Sequence, residues 1–167
     1  MRGWTPLKNT ARRKNSKTGQ PTSEVRSAMA IFLLDTDILS LYQRNHAQVL
    51  AAIANHSTDQ LCLSSTSIEE QIGGWSGLSR SAKNHQDQER AAILLSTIVV
   101  SWNRFAIVPI TEPALQRFEL LVRAKLNVRY NDLRIAAITL ELGATVATRN
   151  RRDFGRVPGL VIEDWSV

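Results

Sequence analysis

Asp35, Glu70, Asp132 and Asp153 are the residues of this chain whose type and placement best suit catalysis. Asp35 ends the apolar run Ile31 to Leu34, and Glu70 follows a second such run, Leu61 to Leu63. Asp132 opens an apolar helix leading to a further run, Thr145 to Thr148, which Asn150 and Asp153 follow. Carboxylates that converge on one point repel each other and partly protonate unless a cation neutralises them. Magnesium or manganese suits such a site, because both take hard oxygen ligands and keep several waters. An ion held by Asp35 and Asp132 would polarise a phosphodiester and lower the pKa of a bound water. Glu70 and Asp153 would complete the shell or orient the attacking water. Neutral Asn150 would ligate or hydrogen-bond without adding charge, and Thr36 and Thr148 would supply hydroxyls behind the ligands. Spacing leaves the number of metal ions open. It also leaves open local roles, in which Asp35 or Asp132 caps a helix, Glu69 and Glu70 are solvated and Asp153 closes a turn.

The elements that must position these acids alternate between strand and helix. Short continuous apolar runs mark buried strands at residues 31–34, 61–63, 106–110, 145–148 and 160–162. Thr36 offers a cap for a helix carrying Ile38, Leu39 and Leu41, and a second helix carries Val49, Leu50 and Ile53. Residues 87–105 set Ala91, Leu94, Leu95, Ile98, Trp102 and Phe105 on one helical face. Thr111 caps the next helix, with Pro113 in its first turn and Leu115, Phe118, Leu121 and Val122 inward. The helix 132–142 ends at Gly143, suited to a left-handed cap. This alternation implies an α/β fold whose mostly parallel sheet has helices on both faces and its site outside the strand carboxyl ends.

At 167 residues the chain holds one domain with a sizeable core. The net charge of +6 points to nucleic acid only at first sight. Residues 1–28 carry Arg2, Lys8, Arg12, Arg13, Lys14, Lys17 and Arg26 against Glu24 alone, which accounts for the whole excess. The domain from residue 29 onward is neutral, so basicity says nothing about its ligand. The leader reads as disordered, and Met29, two residues before the first strand, reads as an alternative start. A transit peptide or a nucleic-acid-binding arm are the other readings of that leader. The single cysteine, Cys62, forms no internal disulfide and fits a reducing cytoplasm. No apolar run approaches the ~20 residues that span a bilayer.

Other chemistries lack their residues. His46, His56 and His85 share no metal-ligand spacing and read as surface histidines. There is no nucleophile elbow, phosphate-binding loop or CxxC pair. Gly73 and Gly74 read as the end or kink of a helix, and Trp75 as a packing residue.

The motifs resemble those of PIN-domain proteins. FLLDTDILS is similar to their opening motif, a hydrophobic strand followed by Asp, Thr and then Asn or Asp. SSTSIEEQIGGW is similar to the second, with Ser64, Glu70 and Gly74 in register, which favours Glu70 over Glu69. NDLRIAAITLELGATVATRNRRDFGRVPGLVIEDW resembles the third and fourth motifs together. The resemblance covers about residues 30–165 and is nearest to the VapC-type toxins. It implies a three-layer αβα sandwich with four to five short strands and a magnesium- or manganese-dependent endoribonuclease. It also implies a VapB-type antitoxin that covers the site, and a homodimer. Asp35, Glu70 and Asp132 match the first three acids of the family. The fourth position holds Asn150, with Asp153 the nearby acid that would serve.

Two rival readings share these residues. A haloacid-dehalogenase-like phosphatase also begins with a strand and D-x-D, so that Asp35 would be the nucleophile and Asp37 the general acid. That chemistry needs a lysine after a strand, and neither Lys83 nor Lys125 follows one. A non-catalytic module on the same fold would bind RNA or the antitoxin without cleaving. Arg149, Arg151, Arg152 and Arg156 flank the last motif and are candidate phosphate contacts, or simply a solvated face.

Overall fold

The computed structural model describes residues 29–57 and 59–167. The basic leader and the readings attached to it lie outside the described residues.

The five strands are β1 (Ile31–Leu34), β2 (Gln60–Ser64), β3 (Ala106–Val108), β4 (Thr145–Ala147) and β5 (Val161–Glu163). The helices are α1 (Thr36–Gln43), α2 (Ala47–Asn55), α3 (Ser65–Ser81), α4 (His85–Trp102), α5 (Glu112–Arg123), α6 (Tyr130–Leu142) and α7 (Arg151–Phe154). All strand pairs are parallel, in the order β3-β2-β1-β4-β5. Strands and helices thus alternate as the apolar runs imply: β1 has the expected bounds, β2 is longer by one residue at each end, β3 and β4 are shorter at their carboxyl ends, and β5 is shifted by one residue.

Register explains how the short strands build two cores. Leu33 pairs with Cys62 and with Val146, and that row faces Phe118 and Leu121 of α5 and Ile135 and Ile138 of α6. One residue on, Leu34 pairs with Leu63 and Ala147, and that row faces Ile38 and Leu39 of α1 and Val49 and Ile53 of α2. Successive strand side chains point to opposite faces, so both sides of the sheet are covered and the fold is three-layered. Cys62 is buried, and burial pushes its thiol up to about 11. It behaves as a small apolar residue.

The α6 helix is apolar on nearly every side. Leu133, Ile135, Ala136, Ala137 and Ile138 are all buried, and the Thr139 hydroxyl donates to the Ile135 carbonyl at 2.8 Å. Gly143 ends it at φ 60°, the left-handed cap expected there. A helix so deeply embedded drags the polar residues of its first turn toward the interior, and Asp132 is among them.

Four details differ from the sequence reading. The α1 cap is Asp35, not Thr36, because the residue still in extended geometry precedes the threonine. The α3 helix runs through Gly73 and Gly74 to Ser81; each interior glycine costs about 1 kcal/mol of helix propensity, which the rest of the helix offsets. Leu94, Leu115 and Val122 are exposed rather than inward, and Phe105 is buried beyond the end of α4. Among the histidines only His85 is exposed; His46 and His56 are half-buried. His56 stacks on Trp165 with centroids 4.9 Å apart and bonds to Asp59 at 2.9 Å. Trp75 packs as expected, its indole N–H donating to the Ala91 carbonyl of α4 at 2.8 Å.

Candidate metal centre

The sheet order creates the cleft. From β1 the chain moves to β2 and β3 on one side, whereas β4 is followed by β5 on the other. The connections leaving β1 and β4 therefore diverge and open a crevice at their carboxyl ends, where α/β sheets bind ligands. Asp35 follows β1, and Thr148 and Asn150 follow β4. The cleft measures about 190 Å³ and is lined by Asp35, Thr36, Asp37, Glu70, Arg129, Asp132 and Asn150. A larger groove lined by Tyr42, Leu50 and Val100 has no acid among the described residues that line it, so size alone does not mark the chemistry.

Asp35 is fixed from three sides. Its backbone N–H extends the sheet by donating to the Ala147 carbonyl at 3.0 Å. One carboxylate oxygen caps α1 by accepting the Thr36 N–H at 2.7 Å. The other accepts the Thr148 hydroxyl at 2.8 Å. Capping and site membership are thus compatible, because an ionised carboxylate has about four acceptor positions. Burial pushes the Asp35 carboxyl up to about 7, against the Thr148 and Thr36 hydrogen bonds, with Asp132 and Asp37 adding repulsion.

Asp132 lies in the first turn of α6 without capping it. Its Oδ2 accepts from the Asn150 amide at 3.2 Å and lies 3.5 Å from the Arg129 Nε. Burial raises its pKa, Arg129 opposes the rise, and Glu70, Asp153 and Asp37 add to it.

Glu70 and Glu69 part company on α3. The Glu69 side chain faces outward to a forked pair with Arg134, at 2.6 and 3.3 Å, which holds its carboxyl below the usual range. Glu70 faces the cleft. One of its oxygens accepts the Asn131 amide at 2.9 Å and the other accepts the Thr36 hydroxyl. Asn131 escaped the sequence reading; its only signal was its place beside Asp132 at a helix start.

Asn150 and Asp153 prove to be linked. The Asn150 amide nitrogen donates to Asp132 at 3.2 Å and to Asp153 at 3.1 Å, while its oxygen accepts the Asp153 N–H at 3.3 Å. Asn150 thus lies between two acids and lines the cleft, whereas Asp153 is set behind it. Asp37 is half-exposed and pairs with Arg149 at 3.4 Å.

The donor set fits a hard divalent cation. Asp35 and Asp132 are buried at one crevice, each disfavoured as an anion by burial and by its acidic neighbours. Among the described residues no three His, Cys, Asp or Glu side chains form a protein-only metal cage. Magnesium does not need one, since it is commonly held by one or two carboxylates with water and phosphate completing the octahedron.

Comparison with known proteins brings in the rest. The family model described as PIN domain matches residues 32–160. The chain is 29% identical over 140 residues to Ribonuclease VapC2 of Rickettsia felis, covering 81% of this chain and 98% of that protein. It is 28% identical over 141 residues to the tRNA(fMet)-specific endonuclease VapC of Salmonella typhimurium, covering 82% and 99%. Among solved structures it is similar to VapBC2 from Rickettsia felis bound to a promoter DNA fragment. There the TM-score is 0.64 at 25% identity, covering 81% of this chain and 98% of that one.

Proposed function

The chain belongs to the PIN domain family, and from that premise we propose that it is a divalent-metal-dependent endoribonuclease, the toxic member of a toxin–antitoxin pair. The observation that carries this reading is the pair of buried carboxylates, Asp35 and Asp132, at the β1/β4 crevice, with no buried cationic side chain between them among the described residues. The similarity to Ribonuclease VapC2 and to the tRNA(fMet)-specific endonuclease supports RNA as the substrate class.

In this reading Asp35 and Asp132 hold magnesium or manganese. When bound, the ion supplies charge neutralisation, polarisation of the phosphodiester and a more acidic water. Thr148 and the Thr36 N–H keep the Asp35 carboxylate in one rotamer, as partners behind metal ligands do. Glu70, oriented by Thr36 and Asn131, is placed to align a water or take its proton. Asn150 keeps Asp132 and Asp153 together without adding charge, and Asp153 acts through it. The phosphatase alternative finds less support, because among the described residues no lysine lines the cleft, and Asp37 is turned onto Arg149.

The surface supports the partner readings. On α3 and α4, Ile72, Leu78, Ile93, Val99 and Val100 are exposed. Beside them a groove lined by Thr36, Glu70, Arg44, Gly74 and Leu94 shares two residues with the acid cleft. An apolar surface opening onto the acids suits a VapB-type antitoxin segment that covers the site. Leu115, Leu120, Val122 and Tyr130 form a separate exposed apolar set, on α5 and the start of α6, suited to a homodimer contact.

Sequencing the new RNA ends made by purified protein in magnesium or manganese tests the activity. Discrete ends that vanish with EDTA are expected, and intact RNA in both metals would contradict it. Within the same reading, Asn131→Ala is expected to lower kcat by about 10–100-fold, the usual loss when a partner behind a metal-site ligand is removed. The melting temperature should change little, because Asn131 is half-buried beside the cleft and is not part of the apolar core. Steady-state cleavage kinetics beside a thermal melt measure both.

A further inference from the structure

Arg129 is the only cation among the described residues that line the acid cleft. It stands immediately before α6, three residues ahead of Asp132, and its Nε lies 3.5 Å from the Asp132 Oδ2. Its side chain is 78% exposed, whereas that of Asp132 is 12% exposed. The charged head therefore sits in water over a buried carboxylate.

Other arginines nearby are anchors of a different kind. Arg134 is mostly buried and forked on Glu69, and Arg156 donates to the Asn127 carbonyl at 2.6 Å. The Arg156 contact matters here, because it pins the loop that carries Arg129. Lys125 and Asn127 in that loop take left-handed geometry, with φ 51° and 54°, and Val128 packs against the core. With the backbone held, the freedom left to Arg129 is that of its side chain. An exposed arginine–carboxylate pair is weak and easily exchanged. A guanidinium binds carboxylate and phosphate with the same geometry.

We propose that Arg129 is a cation shared between the acid cleft and the RNA backbone: it covers Asp132 while the cleft lacks metal and transfers to a phosphate of the substrate when a divalent ion takes its place. The inference rests on the nuclease reading and deepens it. It gives the site its own removable counter-charge, which lowers the repulsion among the acids without a partner chain. It also assigns one phosphate contact to a named side chain. None of the arginines singled out by sequence, Arg149, Arg151, Arg152 and Arg156, is among the described residues that line the cleft; Arg156 is tied to the Asn127 carbonyl and Arg149 pairs with Asp37 at the cleft edge.

Loss of Arg129 then has two opposed effects, which a merely structural residue would not produce. Arg129→Gln is expected to bind manganese without RNA about three- to fivefold more tightly, the worth of a weak exposed pair. The same variant is expected to raise KM for an oligoribonucleotide more than it lowers kcat. The log–log salt dependence of RNA affinity should fall by about one charge. Arg129→Lys, which keeps the charge but not the fork, should retain most of the salt dependence. Calorimetric titration of manganese and cleavage kinetics at several salt concentrations read both effects. Unchanged manganese affinity with unchanged KM overturns the role of Arg129 and leaves the nuclease reading standing. Weakening of both ligands also overturns it, since Arg129 would then be a structural prop. Wild-type protein that neither binds manganese nor cleaves RNA removes the inference and the nuclease reading together.

Discussion

Asp35→Asn is expected to lower metal-dependent RNA cleavage by more than about 10³-fold while raising the melting temperature of the metal-free protein. The two effects share one cause. Asp35 is buried and its carboxyl is pushed up to about 7, so at neutral pH and above its ionised form is held at a cost. Asparagine is nearly isosteric, caps a helix as well as aspartate does, and carries no charge. It keeps the bond to the Thr36 N–H and presents an amide to the Thr148 hydroxyl, which can accept as well as donate. What it loses is the negative oxygen a divalent ion requires. A gain of about 1–3 kcal/mol at pH 8, at roughly 2–4 °C per kcal/mol, is the expected size in a domain of this length. Thermal melts in EDTA read the stability and cleavage assays read the activity. Retained cleavage, or a large loss of stability, would remove Asp35 from the site.

Metal loading should counter the pH dependence of stability of the metal-free protein. Between about pH 4 and pH 7 the folded protein keeps a proton on Asp35 that the unfolded chain has released. Asp132 is shifted in the same direction. Stability of the metal-free protein therefore falls as pH rises through that window and levels off above about pH 7. The lowered Asp59 and Glu69 carboxyls act oppositely, but their stabilisation is lost only on acidification below the ordinary carboxylate range. Both are weak surface groups. Manganese competes with the Asp35 proton, so its apparent affinity should rise with pH toward about 7. Its stabilisation follows from mass action on the folded state. The melting-temperature gain on adding manganese should thus be larger at about pH 8 than at about pH 5.5. Scanning calorimetry with and without the metal measures it, and an equal gain at both values would argue against ionised Asp35 as a ligand.

Much of this architecture is legible in the chain because buried parallel strands leave a plain mark. Ile31 to Leu34 has no polar interruption since helices cover both faces, and the acid that ends it stands out for that reason. The same holds for Leu61 to Leu63, and the serine and glutamate beyond it fall in the register that separates Glu70 from Glu69. The details that escaped depend on tertiary partners. Whether Thr36 or Asp35 caps α1 turns on one residue's backbone angle. Gly73 and Gly74 look like a stop, yet α3 continues because packing beside α1, α4 and α6 outweighs local propensity. Asn131 and Arg129 became visible only when α6 was seated against the sheet, since their partners lie on α3 and one turn along α6. The ambiguity between Asn150 and Asp153 became a hydrogen-bonded pair, a relation no spacing rule contains.

We propose that Asp35 and Asp132 together hold the ion on which ribonuclease activity depends. The most direct measurement is the cleavage rate of one defined RNA as manganese is titrated into wild-type protein and into Asp132→Asn, with far-UV circular dichroism confirming equal folding. Saturable, EDTA-sensitive cleavage by the wild type, and none by the variant at concentrations that saturate the wild type, is the expected result. Wild-type rates from Asp132→Asn, or cleavage that persists in EDTA, would contradict it.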